Sequence, residues 1–169
     1  MLTRTARYRQ DFEVTHKAGG MNLSPMRGYI SEKLRVNDKI DLDDLVRVKT
    51  QIRDNQYVQP NDILICARNG SKALVGKCAL IGNMEEPASF GAFMAVYRTD
   101  YYKYVLHYLR SNLFRNVFND SNSTAINQLT QDMLKRAVIP FPPFEEQQRI
   151  VDLIDKLLLQ IKDIERSLN

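Results

Sequence analysis

The sequence predicts an α+β fold, in which a mixed sheet with packed helices is followed by a long C-terminal helix of coiled-coil pattern. Short apolar runs separated by turn-forming residues fill the middle of the chain, as they do where strands form a sheet. Beyond residue 144, apolar side chains recur at alternating spacings of four and three, which indicates a helix with one apolar seam. The 169 residues suffice for one domain, over residues 1–143, and an appended helix over 144–169.

Four strands are predicted after an irregular start. Residues 1–20 show no clean periodicity, so they are interpreted as an arm, a divergent start of the domain, a fragment of a first strand or vector-derived sequence. Alternating apolar and basic side chains predict a strand at 45–49, and apolar runs predict strands at 62–68, 76–81 and 92–97. These strands are expected to form the central sheet.

Helical periodicity follows the strands. Apolar residues at helical spacing predict one amphipathic helix of about five turns over 100–119, which should cover one face of the sheet. Residues 119–124 are dense in turn-forming side chains and predict a loop. Thr130 can cap a short helix that ends at Lys135, because its hydroxyl can accept a hydrogen bond from the first turn. A last short strand is predicted at 137–139.

A proline hinge precedes the C-terminal helix. Pro140, Pro142 and Pro143 fix φ and favour extended backbone before them, so they predict a stiff spacer that ends one element and directs the next. Glu145 and Glu146 follow in the first helical turn, where negative charge complements the helix dipole.

The apolar stripe of this helix has two interpretations, packing on its own domain or pairing with a partner helix. Val151, Leu153 and Leu158 widen the apolar face, so one flank can contact the domain while the seam meets another helix. At ~1.5 Å per residue the helix spans roughly 36 Å, longer than a compact domain of this size easily covers. The predicted seam consists of Ile150, Ile154, Leu157, Ile161, Ile164 and Leu168.

Composition is that of a soluble globular protein, with 44% hydrophobic and 26% charged residues. No apolar run is long enough to span a membrane and the N-terminus lacks a secretion signal, so a cytoplasmic location and no membrane partner are expected. Cys66 and Cys78 lie in apolar strand-like runs and are predicted to be core thiols. His16 and His107 are too isolated for a metal site, and no metal or cofactor is expected.

Charge is distributed unevenly along the chain. Residues 145–169 hold four basic and six acidic side chains, so the remaining twenty basic and fourteen acidic ones leave the globular part at +6. This distribution suits a domain that lies on a phosphate backbone while the helix meets protein. Many basic proteins bind no nucleic acid, so charge alone leaves the partner open.

Catalytic motifs are not found in the sequence. A DNA methyltransferase needs a glycine-rich cofactor loop and an Asn, Asp or Ser before Pro-Pro-aromatic, which holds the amino group of a flipped base. Phe141 stands at that position before Pro142-Pro143-Phe144 and has no hydrogen-bonding group, so this segment is interpreted as a hinge. The sequence also lacks a phosphate-binding loop and a zinc-ligand cluster, and a non-catalytic protein is predicted.

Two polar segments are candidates for contacting DNA. The first is the predicted loop with Arg68, Asn69, Ser71 and Lys72, followed by Lys77: Arg suits guanine, Asn suits adenine, and Ser and Lys commonly meet phosphates. The alternative is an ordinary polar connection between strands.

The second candidate is the segment 121–128, in which Ser123 and Thr124 could touch backbone or bases; its alternative is an ordinary turn. Several basic residues elsewhere could add phosphate contacts, and two of them, on the predicted helix, could equally form its solvated face. These residues are Lys49, Arg53, Arg98, Arg110 and Arg115.

Several segments resemble, in the same order, those of specificity subunits of type I restriction-modification systems. The junction Ile139-Pro-Phe-Pro-Pro-Phe-Glu-Glu-Gln-Gln-Arg-Ile-Val151 is similar to the one that joins a target recognition domain to its spacer helix. Upstream, the segments 62–70, 89–91, 108–111 and 123–129 extend the similarity, which covers roughly residues 45–165. The chain departs from the family in having room for one recognition domain and one helix, and in having no Trp.

The resemblance implies a half-subunit that reads double-stranded DNA and scaffolds other subunits without catalysis of its own. Two copies are expected to pair through their helices as a homodimer, antiparallel by analogy with full-length subunits, and to read a bipartite site. Modification subunits, which transfer methyl groups from S-adenosylmethionine, and restriction subunits are the implied partners. The alternatives are a detached recognition domain of a single-chain DNA methyltransferase and a coiled-coil adaptor that binds only protein.

Overall fold

The structure, a computed structural model, describes residues 27–30, 46–48, 52–119 and 128–168. The predictions for residues 1–20 and for the loop that holds Ser123 and Thr124 lie outside this range. The strands are β1 Arg27–Ile30, β2 Val46–Val48, β3 Ile63–Cys66, β4 Cys78–Leu80, β5 Ala88–Phe90 and β6 Met94–Tyr97. The α-helices are α1 Tyr102–Arg110, α2 Asn112–Asn119, α3 Gln131–Arg136 and α4 Phe144–Leu168.

The described strands form two small sheets, where the sequence pattern predicts a single one. In the mixed sheet, with order β2-β1-β5, β1 pairs antiparallel with β2 and parallel with β5. In the antiparallel sheet, with order β4-β3-β6, β3 pairs with both neighbours. The four predicted strands are found as β2, β3, β4 and β6, each shorter than its predicted segment. The other two, β1 and β5, are not predicted by the pattern.

Strand β3 lies at the centre of the domain, buried on both faces. Ile63 and Ile65 point into an apolar cluster formed with α1, α2 and α3. Leu64 and Cys66 point to the opposite face, into a second cluster that includes Phe90 of β5. A strand with apolar neighbours on both faces reads as a continuous apolar run, which explains the Ile-Leu-Ile-Cys sequence.

The helical region differs from its prediction at Ser111, which divides the expected single helix into α1 and α2. Ser111 has extended backbone, with φ −76° and ψ 159°. Its hydroxyl donates to the carbonyl of Tyr108 at 2.6 Å and accepts from the backbone N–H of Phe114 at 3.4 Å. The break turns α2 so that Phe114, 1% exposed, enters the core cluster.

The short helix α3 is confirmed, with Thr130 as its cap: the Thr130 hydroxyl accepts from the backbone N–H of Met133 at 3.2 Å. The predicted strand at 137–139 is wrong, because this segment pairs with neither sheet. Its carbonyls instead face the hydroxyls of α1, as described below. Cys66 and Cys78 are buried free thiols, as predicted.

Helix α4 is present over the predicted range, and its first turns pack on the domain. Gln147 and Val151 are buried, and Asp155 contacts His107 of α1, with 3.1 Å between His107 Nε2 and Asp155 Oδ1. Beyond that point every described residue of the helix is exposed. In the part of the chain that the structure describes, no helix is both long and apolar enough to cross a membrane.

Candidate functional site

A polar loop between β3 and β4, residues 67–77, forms the candidate recognition loop. Its two ends are closed by backbone hydrogen bonds: Cys66 N–H donates to the Lys77 carbonyl at 2.9 Å, and Gly76 N–H to the Cys66 carbonyl at 2.8 Å. Gly76 adopts φ 80°, a left-handed conformation that favours glycine. The loop therefore begins and ends at two core strands, and moving its base would break the hydrogen bonds between them.

Arg68 lies at the fixed base of the loop. Its backbone N–H donates to the carbonyl of Phe93 at 3.0 Å, beside the bond that Ala67 N–H makes to the same oxygen at 2.8 Å. The Cys66 thiol lies 3.7 Å from the Arg68 carbonyl oxygen as a weak donor. The backbone of Arg68 is held on both sides, while its side chain is exposed.

The other predicted residues of the recognition loop differ in exposure and contacts. Asn69 is half-buried, and its amide oxygen accepts from the backbone N–H of Ser71 at 2.9 Å, which forms an Asx turn. Ser71 and Lys72 are exposed, and Lys77 is half-buried. The Asn69 side chain therefore stabilises the conformation of the loop through this bond.

The second predicted segment converges on the same place. Gln128, where the described chain resumes, forms a β-bridge with Arg68, and Leu129 N–H donates to the Ala67 carbonyl at 2.6 Å. Ser123 and Thr124 themselves lie outside the described residues. The structure therefore brings one end of the second segment against the base of the first.

Phe93 is a residue of this site that the sequence pattern does not indicate. It lies in the turn before β6, is 44% exposed, and carries the Arg68 guanidinium over its ring at 5.7 Å from the centroid. In the sequence Phe93 lies within the apolar run 92–97, so nothing there distinguishes it from the strand residues that follow.

Two of the arginines predicted to meet phosphates have structural partners. Arg98 makes two 2.7 Å bonds to the carboxylate of Asp62, which is 1% exposed, and Arg98 also donates to the Tyr57 carbonyl at 3.1 Å. Arg110 donates to the carbonyl of Cys78 at 3.3 Å. Removing Arg98 would leave a buried carboxylate without its counter-charge, so this arginine is needed for folding.

The proline hinge, residues 137–143, is joined to α1 by tyrosine hydroxyls. Tyr104 donates to the Pro140 carbonyl at 2.7 Å, and Tyr108 donates to the Val138 carbonyl at 3.1 Å. Proline-rich extended backbone has carbonyls that no strand satisfies here, and the two hydroxyls supply partners one helical turn apart. The hinge is thus a fixed connection.

Aromatic and amide contacts continue this connection into α4. The ring of Phe141 lies edge-on against Tyr101 at 4.8 Å and against Tyr104 at 6.4 Å between centroids. Gln147, 2% exposed, donates from its side chain to the Pro142 carbonyl at 2.8 Å. We call the hinge together with the first turn of α4, residues 137–147, the elbow.

Burial shifts the tyrosines near the elbow toward their neutral form. Desolvation, with a smaller contribution from Tyr108, raises the pKa of Tyr97 to about 12. Burial also raises the pKa of Tyr104, and burial together with Tyr104 raises the pKa of Tyr108. The hydroxyls of Tyr104 and Tyr108 must be protonated to donate to the hinge carbonyls, so these shifts and those hydrogen bonds favour the same state.

The described residues contain no cluster of three or more His, Cys, Asp or Glu side chains that could hold a metal ion. What they do contain is a fixed polar loop, an arginine placed over an aromatic ring, and a helix held by an elbow. Residues 16–169 match the family described as the type I restriction modification DNA specificity domain. The chain belongs to this family. The resemblance seen in the sequence is thereby confirmed.

Curated relatives give the same answer. Over 130 residues, 74% of this chain and 28% of the relative, the chain is 35% identical to the type I restriction enzyme EcoKI specificity subunit of Escherichia coli (strain K12). Over the same length it is 34% identical to the StySPI specificity subunit of Salmonella potsdam, again 28% of that protein. The chain thus spans less than a third of these relatives. Type I specificity subunits are non-catalytic, and catalysis in these systems comes from other subunits.

Solved structures show the same fold. The HsdS subunit from Thermoanaerobacter tengcongensis superposes with a TM-score of 0.63 at 20% identity, over 85% of this chain and 38% of that one. A second structure, described as the basis of complex assembly and conformational transition of the type I R-M system, gives a TM-score of 0.64 at 20% identity over the same shares.

Proposed function

We propose that this chain is a half-subunit of a type I specificity protein, with residues 1–143 as the target recognition domain and 144–169 as a spacer and dimerisation helix. The recognition domain reads double-stranded DNA, and the helix pairs with a second copy and supports modification subunits. The observation that carries the proposal is the recognition loop, which holds exposed polar and basic side chains on a backbone fixed by the core of a domain of this family.

The chemistry of the loop supports contact with DNA. Arg68, at the fixed base, is suited to a bidentate bond with the O6 and N7 atoms of guanine. Ser71 and Lys72, exposed further along, are suited to phosphate oxygens, which position a protein without reading sequence. Lys77, Ser123 and Thr124 are assigned to the same interface. The excess of basic residues outside α4 draws this part of the chain to a polyanion.

The C-terminal helix carries two separate stripes, which supports pairing with a second copy. Gln147, Val151 and Asp155 are four residues apart and face the domain. The seam that begins at Ile150 and Ile154 lies roughly a quarter turn away on the same helix. Its distal members stay uncovered, with exposures of 49% for Leu157, 52% for Ile161, 58% for Ile164 and 81% for Leu168.

A second copy fits this seam better than an unrelated partner does, because α4 holds both charge signs and a self-complementary apolar row. Two chains paired through their helices would hold two recognition loops at a fixed separation and read a bipartite site. Modification subunits docked on the paired helices would then methylate that site, and restriction subunits would join them. We place this assembly in the cytoplasm, with no cofactor bound to the chain itself.

Reconstitution with the methyltransferase subunit of a type I system from the same genome tests the proposal. Methylated bases are mapped in plasmid DNA treated with the methyltransferase alone, with the wild-type chain added, and with a variant that combines Arg68→Ala and Lys72→Ala. The expected result is methylation at one bipartite motif that requires the wild-type chain and is lost or relaxed with the variant.

Two other results would overturn the assignment. Methylation of the same motif without this chain would mean that recognition lies elsewhere. A wild-type chain that binds the methyltransferase and shows no salt-dependent affinity for duplex DNA would be a protein-only adaptor, because phosphate contacts always release counterions.

A further inference from the structure

Phe93 and Arg68 form a cation–π pair at the base of the recognition loop. The guanidinium carbon of Arg68 lies 5.7 Å from the centre of the Phe93 ring. The same Phe93 also accepts two backbone hydrogen bonds through its carbonyl oxygen, one from Ala67 and one from Arg68. Phe93 therefore holds Arg68 in two ways. Its carbonyl oxygen accepts from the Arg68 backbone N–H, and its ring lies beneath the Arg68 guanidinium.

The apolar core does not account for the position of this ring. Phe93 is 44% exposed and belongs to neither of the two buried apolar clusters of the described chain. The turn that presents it is closed by Met94 N–H, which donates to the Gly91 carbonyl at 2.9 Å, next to the buried Met94. The position of this half-exposed ring is explained if it orders the exposed arginine beside it.

We infer that Phe93 is the positioning residue for base reading by Arg68, an inference that rests on the proposed function. A planar guanidinium over the face of an aromatic ring keeps its N–H edges directed outward, and those edges make the bidentate bond to guanine. A free arginine must lose rotamer freedom when it binds, whereas an arginine held against an aromatic ring loses less of it on binding. Phe93 therefore acts on discrimination between bases, and it acts through Arg68.

Lys72, further along the recognition loop, differs from Arg68 in its surroundings. Lys72 is exposed and follows the Asx turn of Asn69 and Ser71, well past the strand ends. A compact ammonium at this place suits a phosphate, whose position depends little on base sequence. In the recognition loop, Arg68 at the base is therefore ordered for reading a base, and Lys72 further out makes a contact that does not depend on sequence.

The test begins with selection of DNA by the full 169-residue chain from a pool of random-sequence duplexes. Each guanine of the enriched sequence is then replaced in turn by 7-deazaguanine, which lacks the N7 acceptor. The measured quantity is the ratio of affinities for the unmodified and the 7-deaza duplex. It is compared for wild type, Phe93→Leu, Phe93→Tyr and Arg68→Ala, and for Phe93→Leu combined with Arg68→Ala.

The inference predicts one guanine at which wild type loses affinity on loss of N7 and Arg68→Ala does not. At this guanine, Phe93→Leu should lower the ratio by roughly 2- to 10-fold, the range expected for ordering one long side chain. Phe93→Tyr, which keeps the ring, should stay within about twofold of wild type. The slope of affinity against salt should stay the same in Phe93→Leu, because no phosphate contact is lost.

The double variant decides whether Phe93 works through Arg68. Once Arg68 is Ala, Phe93→Leu should have no further effect on the ratio. A persisting effect would mean that the ring touches the base itself, and it would overturn the inference, as would an unchanged ratio in Phe93→Leu. In both cases wild type still enriches a sequence, so the proposed function stands. If wild type enriches no sequence, both the inference and the proposed function are wrong.

Discussion

The recognition loop and the elbow are both irregular segments at the boundary of the domain, and they use their polar groups in opposite ways. The carbonyls of the elbow are bound by Tyr104, Tyr108 and Gln147, so its polar groups are directed inward. The backbone of the recognition loop is hydrogen-bonded to itself and to the turn before β6, and Ser71 and Lys72 are exposed. The backbone is held in both segments, and the loop exposes hydroxyl and basic side chains.

This difference indicates which substitutions should separate stability from function. Changes in the elbow remove hydrogen bonds that the domain makes within itself, so they should affect folding and the attachment of α4. Changes in the recognition loop remove groups with few internal contacts, so they should affect binding and leave folding almost unchanged. Each of the following experiments challenges that separation.

The largest effect is expected from Leu157→Asp combined with Ile161→Asp. Both side chains are about half exposed in the single chain, so the elbow and the core should stay intact. Pairing should weaken by about 5 kcal/mol or more, because apolar area from both copies leaves the interface and charge enters it. Light scattering should report the mass of a monomer, and circular dichroism should show that this monomer is folded.

Leu159→Asp is the matched control, because Leu159 is 63% exposed and lies on the side of α4 opposite to the seam. This variant should remain dimeric. If the double variant keeps the wild-type mass, or if Leu159→Asp dissociates as readily, the seam is assigned to the wrong residues.

Alkaline pH should lower the free energy of unfolding of the domain, because Tyr97 is buried in its core. Burial raises the pKa of Tyr97 to about 12, above its unfolded value, so its contribution is present below about pH 10 and is lost as pH rises through about 12. The free energy of unfolding, measured by urea titration at each pH, should fall by about 1 to 3 kcal/mol over this range. Tyr97→Phe should flatten the decline, and an equally steep decline would contradict this attribution.

Gln147→Ala should cost about 1 to 2 kcal/mol in the free energy of unfolding. The side chain is 2% exposed and its amide donates to the Pro142 carbonyl, so the variant loses a hydrogen bond and leaves a small void. Urea titration of wild type, Gln147→Ala and Gln148→Ala measures the cost. Equal losses in the two variants would mean that the bond to the hinge contributes nothing in particular.

The smallest effect on stability is expected from Lys72→Ala, below about 0.5 kcal/mol, because the side chain is exposed. Its effect on DNA should be visible in the slope of log affinity against log salt, which should become shallower by about 0.9 if one phosphate contact is lost. Lys103→Ala, an exposed lysine of α1, is the control and should keep the wild-type slope. An unchanged slope for Lys72→Ala would remove this residue from the interface.

The sequence predicts best what depends on neighbours along the chain. The apolar run that becomes β3, the Thr130 cap and the extent of α4 all follow from local patterns, and the structure contains them. Ser111 was missed as a break, because apolar periodicity continues across it and outweighs a single serine. A Ser-Asn pair at this point is a helix-start signal, and it would have indicated the second helix.

Contacts between distant segments could not be predicted in this way. The pattern identifies the prolines as a stiff hinge, but the hydroxyls that fix the hinge come from a helix some 30 residues earlier in the chain. The pairing of Gln128 with Arg68 likewise joins two polar segments that were treated separately. β5 escaped detection because three residues, Ala-Ser-Phe, are too few to show alternation.

The contact between Asp155 of α4 and His107 of α1 has a mechanical consequence. Asp155 contacts His107 of α1, and every described residue of the helix beyond it is exposed as far as Leu168. At ~1.5 Å per residue this leaves a lever of roughly 20 Å beyond the attachment. Tilting the lever by only about 10° would swing its tip by about 3.5 Å, close to the rise of one base pair. In the proposed dimer, the two recognition loops therefore keep a separation defined to within one base pair only if the direction of α4 is held to within about 10°.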